Sequence, residues 1–195
     1  MQSQVTSGSA KTSARDRILL AAHDLYYGDG VRATGVDRVI AEAGVTKVTF
    51  YRHFPSKNEL ILAFLEYRHE RWMAWFTDSL QRHARSGAGD GVDAVVGAMG
   101  EWFRSVGFRG CAFINTVGEL GAANPEVVAI AARHKQDMTD AIAALLPPSR
   151  HRDKDAQAAA MAVDGAIIRA QMDAAPEAAL KTLRTLLVAS LRPRH

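Results

Sequence analysis

The stretch from Ala41 to Leu60 constrains this chain more than any other, because it closes one short helix, turns, and opens another. Upstream, Thr34 and Asp37 stand three apart in the manner of a capping box, which predicts a helix beginning at Thr34. Its apolar positions are Val36, Val39, Ile40 and Ala43, at helical spacing, and Gly44 follows where a left-handed residue stops a helix. Thr46 then supplies the cap of the next helix. Only about three or four residues remain between the two, the length that throws a second helix across the first for insertion in a DNA major groove.

The phase of that second helix sorts its side chains. Val45, Phe50 and Phe54 face the small core of a three-helix unit. Thr46, Lys47, Val48 and Thr49 then point outward from the N-terminal end, where a methyl-bearing Val or Thr meets thymine and a lysine suits guanine. Tyr51, Arg52 and His53 are placed as phosphate donors, unless Tyr51 and His53 only cap and pack a surface turn. Lys57 opens the following helix, where free amides and the positive dipole end already favour an anion. Thr34 completes the expected set of DNA contacts.

Gly30, Thr34, Val36, Ile40-Ala41, Ala43-Gly44-Val45, Tyr51, Phe54 and Lys57, in that order and density, resemble the N-terminal domain of the TetR family of transcriptional repressors. The likeness covers Ala14 to Phe64. It implies an all-α protein with a helix-turn-helix domain over residues 14–58, behind a tail over residues 1–13. A long helix would join that domain to a C-terminal helical bundle over residues 59–195, which senses a ligand and dimerises. It also implies a repressor released from palindromic double-stranded operator DNA by a small molecule. Val48 stands where many members have Gly, and Phe50 where many have Leu, which leaves the operator sequence open. Further on, Gly110-Cys111-Ala112-Phe113 followed by Asn115, Glu119 and His134 resembles a pattern in one group of the family's C-terminal domains.

Composition adds bounds rather than identity. A chain of 195 residues with 48% hydrophobic content is long enough for a small DNA-binding unit plus one larger helical core. A net charge of +3 suits a nucleic-acid partner and equally an ordinary protein. One cysteine, Cys111, leaves no disulfide framework and no multi-cysteine zinc site, so the cytoplasm is the expected compartment, with no metal and no cofactor. Met1 to Ser13 lacks the apolar core of a signal peptide, and no apolar run is long enough to span a bilayer. It reads as a flexible tail, with Lys11, Arg15 and Arg17 at its junction as either a basic arm or a solvated stretch.

The remaining segments read helical, without strand alternation. A first helix is expected from about Ala14 to Tyr27, capped by Ser13 with Asp16, burying Ile18, Ala22 and Leu25, and ended by Gly28 and Gly30. A long helix should run from Ser56 to near Arg85 through Ile61, Leu65, Trp72, Trp75, Phe76 and Leu80, followed by a loop from Ser86 to Gly91. Val92, Val95, Val96, Met99, Trp102, Phe103 and Val106 mark the next helix. Asn124-Pro125-Glu126 starts another, striped by Val127, Ala131, His134, Met138, Ala141 or Ile142, and Leu145, and stopped by Pro147-Pro148-Ser149.

In the last two helices small and large apolar residues mix. From Asp155 to Met172 the expected buried face carries Ala158, Met161, Ala162, Gly165, Ile168 and Met172; after Pro176-Glu177 come Leu180, Leu183, Leu187 and Leu191. Such a pair can bury itself in its own core or against a second copy. Two recognition helices one DNA turn apart, roughly 34 to 36 Å, favour the homodimer. Its expected interface is Met161, Gly165, Ile168, Met172, Leu180, Leu183 and Leu187.

Trp72, Trp75, Phe76, Trp102, Phe103, Phe108 and Phe113 gather in the first half of the C-terminal region, where large rings either fill a core or line a pocket for a lipophilic or aromatic effector. The expected ligand contacts are Trp72, Phe76, Trp102 and Phe113, oriented by Asn115, Glu119 and His134. His134 falls on an apolar stripe and needs a partner, and a Glu119 to His134 hydrogen bond would satisfy both. Two alternatives use Cys111. One is a thiol-based redox sensor; the other is an enzyme, a cysteine hydrolase with His134 and Asn115, for which nothing nearby shows an activated thiolate or an oxyanion hole. Cys111, Glu119 and His134 lack the spacing of a compact metal site. The expectation is a regulator rather than an enzyme.

Overall fold

A computed structural model describes residues 12–86, 91–173 and 175–190, which fold into nine helices. The tail through Lys11, most of the loop expected after Ser86, and Leu191 lie outside the described residues. The chain divides into two compact units, one ending at Phe64 and one beginning at Leu65.

The first unit holds α1 (Ala14–Asp29), α2 (Val36–Ala43), α3 (Lys47–His53) and the opening turns of α4 (Lys57–Ser86). Ser13 caps α1 as its sequence predicts: its hydroxyl accepts from the Asp16 amide and donates to the Asp16 carboxylate at 2.7 Å. The helix continues through Gly28 and stops at Gly30, whose φ of 91° favours glycine. Thr34 departs from expectation. Gly35 is the N-cap of α2, and Thr34 is wholly buried with its hydroxyl donating to the Leu25 carbonyl at 3.5 Å, so it ties the interhelical loop to α1. Leu60, Ile61 and Phe64 of α4 are buried, and Phe64 meets the Tyr26 ring edge to face at 5.6 Å. The boundary therefore falls at Phe64 rather than at residue 58, because these turns of α4 help complete the small core.

The second unit contains the rest of α4, α5 (Gly91–Phe103), α6 (Ala112–Leu120), α7 (Pro125–Ala143), α8 (Arg152–Met172) and α9 (Glu177–Ser190). α7 packs on α6 and α8, and α9 packs on α8 and α5. Asn124 caps α7 by accepting from the amides of Glu126 and Val127, and Pro125 takes the first position, where its missing N–H costs nothing. Ile142 rather than Ala141 takes the buried place on its stripe. α5 closes at Phe103, so Val106, expected on its apolar face, lies 99% exposed in the following loop. The Glu101 carboxylate fastens α5 to α4 by accepting from Trp75 Nε1 at 3.0 Å, the Ser79 hydroxyl at 2.9 Å and Arg82 at 3.1 Å. Burial alone would push that carboxyl up; the three bonds and the Arg82 charge hold it below its ordinary value.

The expected inner face of α8 is its outer one. Ala156, Ala159, Ala160, Val163, Ala166, Ile167 and Ala170 are buried, while Met161 (76%), Met172 (73%), Gly165 and Ile168 are exposed. On α9, Leu180, Leu183 and Leu187 are buried within their own subunit, which corrects their assignment to a surface between copies. Leu186 and Val188 stand outside instead.

Candidate functional site

Three residues, Gly44, Val45 and Thr46, separate α2 from α3. Gly44 adopts φ 60° and ψ 42°, the left-handed conformation that a helix stop of this kind requires, and Val45 returns its amide to the Ile40 carbonyl. Thr46 then opens α3: its hydroxyl accepts from the Thr49 amide at 3.2 Å and lies 2.9 Å from the Thr49 hydroxyl. Phe50 and Phe54 are buried, with rings 6.3 Å apart, and these two anchors set the phase of the helix. Thr46, Lys47, Val48, Tyr51 and Arg52 are consequently exposed, while Thr49 and His53 are half-buried.

The charged side chains of α3 and its flanking turns are cationic. Lys47, Arg52 and Lys57 fall between Gly44 and Asn58, a span without an acidic residue. The Lys47 ammonium lies 3.6 Å from the Asp37 carboxylate, a solvent-exposed pair of little energetic weight that leaves the lysine available to a stronger anion. Lys57 is half-buried at the start of α4, beside Ser56, whose hydroxyl accepts from the Glu59 amide. The Tyr51 ring packs edge-on against Phe50 at 5.1 Å, and Arg15 lies over the Phe54 ring at 5.2 Å. Thr34 leaves the set of DNA contacts, since its burial and its bond to Leu25 keep its hydroxyl away from solvent.

In the second unit, Trp72, Phe76, Trp102 and Phe113 come together as a packed cluster. Phe113 stacks on His134 with centroids 3.7 Å apart, Trp72 stacks on Phe76 at 4.6 Å, and Trp72 meets Trp102 edge-on at 5.4 Å. A cavity of about 10 Å³ remains beside Trp72, Trp102, Cys111, Phe113 and His134, room for about one water. Trp72 Nε1 is buried without a hydrogen-bond partner. Asn115 and Glu119 do not line that cavity, and the Asn115 amide donates to the Arg109 carbonyl at 3.1 Å, tying the preceding loop to α6.

His134 finds its partner in His69 rather than in Glu119. The two Nδ1 atoms are 3.2 Å apart, one ring donating and the other accepting, and His69 Nε2 lies 3.5 Å from the Asp137 carboxylate. Burial pushes His134 down to about 2, with the nearby Lys135, His69, Arg68 and Arg133 charges acting in the same direction, so its imidazole is neutral. The sequence holds one signal for His69, which lies in helical phase with Leu65, Trp72 and Phe76 amid the polar run Tyr67-Arg68-Glu70-Arg71. Cys111 is buried, and Asn115 and His134 are engaged with Arg109 and His69, so the three do not form a relay. Among the described residues no cluster of His, Cys, Asp or Glu is placed to hold a metal ion, and no helix is long and apolar enough to cross a membrane.

The family described as bacterial regulatory proteins, tetR family, matches residues 18–64. The crystal structure of SCO4454, a TetR-family transcriptional regulator from Streptomyces coelicolor, is 31% identical and superposes with a TM-score of 0.76 over 92% of this chain and 94% of that one. The HTH-type transcriptional activator FasR of Mycolicibacterium smegmatis is 42% identical over 52 residues, 27% of this chain and 24% of its own. The nucleoid occlusion factor SlmA of Vibrio vulnificus is 33% identical over 69 residues, 35% of each chain. These two matches span only about a quarter to a third of the relatives' lengths, and the relatives' differing outputs assign none to this chain. Family and fold are those of transcriptional regulators, which are not enzymes. With the left-handed glycine, the capped reading helix and a relative that aligns across both units in agreement, the chain belongs to the TetR family of transcriptional regulators.

Proposed function

We propose that this DNA-binding regulator acts in the cytoplasm as a homodimeric repressor. Each subunit offers one α3 to a two-fold symmetric operator, and a small lipophilic or aromatic molecule entering the second unit releases it. The observation that carries the dimer is the outer face of α8 and α9. Met161, Ile168, Met172 and Leu186 are exposed there, beside a groove of about 380 Å³ whose lining includes Ala162, Gly165, Ala178 and Thr182. An apolar patch of this kind marks a protein contact, and small residues let a symmetry-related helix pair approach closely. α3 has seven residues and reaches few base pairs alone, whereas two heads roughly 34 to 36 Å apart read twice the sequence.

The buried, unpartnered indole N–H of Trp72 supports the effector reading, because an unmet donor of this kind costs about 1 to 3 kcal/mol. A ligand that places an acceptor oxygen beside it recovers that cost. The cavity beside it is too small for such a molecule, so the effector must favour a more open arrangement of Trp72, Trp102 and Phe113. Release then follows as a population shift, with a coupling of about 1 to 3 kcal/mol between effector and operator. The test is selection of a binding site from random duplex DNA, followed by sedimentation of the complex. An inverted repeat with half-sites about one turn apart, carrying two subunits, is expected. A site without a repeat, or a single bound subunit, refutes the reading.

A further inference from the structure

We infer that Val48 makes this protein a reader of the pyrimidine C5-methyl group, so that one methyl per half-site contributes to operator choice and 5-methylcytosine can supply it in place of thymine. The inference rests on α3 being the helix that enters the major groove. Val48 is 70% exposed, more than any other large apolar side chain described in the first unit. It cannot turn inward, because Phe50 and Phe54 hold the phase of the helix.

Its surroundings identify what covers it. From Gly44 to Asn58 the charged side chains Lys47, Arg52 and Lys57 are all cationic, which favours a polyanion over an apolar protein surface. In the major groove of DNA the base edges present donors, acceptors and one apolar group, the C5-methyl of thymine. Val48 has no polar atom and therefore has only that group to recognise. Thr49 is half-buried and Thr46 stands at the cap, its hydroxyl 2.9 Å from that of Thr49, so Val48 is the wholly apolar side chain that α3 holds out to solvent. Lys47 ends in an ammonium, which suits base-edge acceptors and phosphates rather than a methyl. A valine in a helix holds essentially one rotamer, so its two methyls are presented without further ordering. 5-Methylcytosine carries its methyl on the same ring carbon as thymine, which makes the contact sensitive to cytosine methylation at that step.

The test uses the duplex that the wild-type protein selects from random DNA, with each thymine replaced in turn by uracil, a change that removes the C5-methyl alone. Wild-type binding should weaken about fourfold at one thymine in each half-site, the worth of one methyl withdrawn from water, and roughly fifteenfold when both are replaced. Val48→Ala, which keeps its thermal stability because the site is exposed, should bind the thymine and uracil duplexes alike, and Val48→Thr should fall between. Wild-type indifference to every uracil, or an undiminished uracil effect in Val48→Ala, overturns the inference while leaving the proposed function in place. Failure to enrich any sequence overturns both.

Discussion

Glutamate at two positions on neighbouring helices should have opposite consequences. Met161 on α8 is 76% exposed in the subunit, whereas Leu187 on α9 is fully buried. Met161→Glu leaves the isolated subunit within about 0.5 kcal/mol of its original stability, as exposed substitutions do. In a dimer that covers this face, the change removes roughly 1.5 kcal/mol of apolar burial per side chain and strands a carboxylate at the interface. With two copies per interface the loss is about 3 to 6 kcal/mol, a rise in dissociation constant of about 10²- to 10⁴-fold. Operator binding should fall with it, since the two half-sites are no longer engaged together. Leu187→Glu instead drives a charge into a closed core and destabilises the subunit itself by about 3 kcal/mol or more, a large share of the stability of a small domain. Sedimentation equilibrium at micromolar concentration, paired with thermal melts followed by circular dichroism, separates the two effects. A wild-type monomer at that concentration, or a Met161→Glu protein whose dimer is undiminished, refutes the dimer argument; a Leu187→Glu protein of normal stability refutes the placement of that leucine.

His134 carries a pH dependence. It titrates at about 2 when folded against 6.5 ordinarily, so below pH 6.5 the unfolded chain binds the extra proton and stability declines toward about pH 2. By pH 5 the loss is about 2 kcal/mol, and melts at pH 7 and 5 should show His134→Phe losing less than wild type; equal losses would contradict the assignment. Thr46→Ala removes the cap of a seven-residue helix, which should cost about 1 kcal/mol in urea unfolding and weaken operator binding; no change in either measurement counts against the cap. Lys57→Ala should weaken selected and random DNA alike and lower the salt slope by about one, and unaltered binding isotherms would exclude it as a phosphate contact.

The first unit is legible in the sequence because its determinants are local. Ser13 with Asp16, the left-handed Gly44, and Thr46 with Thr49 each act within four residues, and the spacing of Phe50 and Phe54 sets the phase of α3 unaided. Thr34 marks the limit, since a hydroxyl just ahead of a helix can cap it or bond elsewhere, and the Leu25 carbonyl nine residues away decides. α8 is harder, because apolar residues occur on all its faces. Its inner surface is made largely of alanines, close enough for α7 and α9 to pack, and the larger Met161 and Met172 fall outside, the reverse of what side-chain size implies. α6 has nine residues and no side-chain cap, too little to show a period or an end. The partner of His134 is a choice among distant polar groups, settled by the position of His69 on α4 and invisible in local spacing.

The residues that anchor and cap α3 are distinct from four others that face outward. Phe50, Phe54 and the Thr46 hydroxyl hold the helix, so Lys47, Val48, Tyr51 and Arg52 carry little folding duty. A duplicated gene can therefore drift through many residue types at these four positions and acquire a new DNA address without passing through an unstable ancestor. Where α3 reads DNA as proposed, retargeting by design has the same freedom: four grafted side chains are expected to alter the address and leave the scaffold untouched.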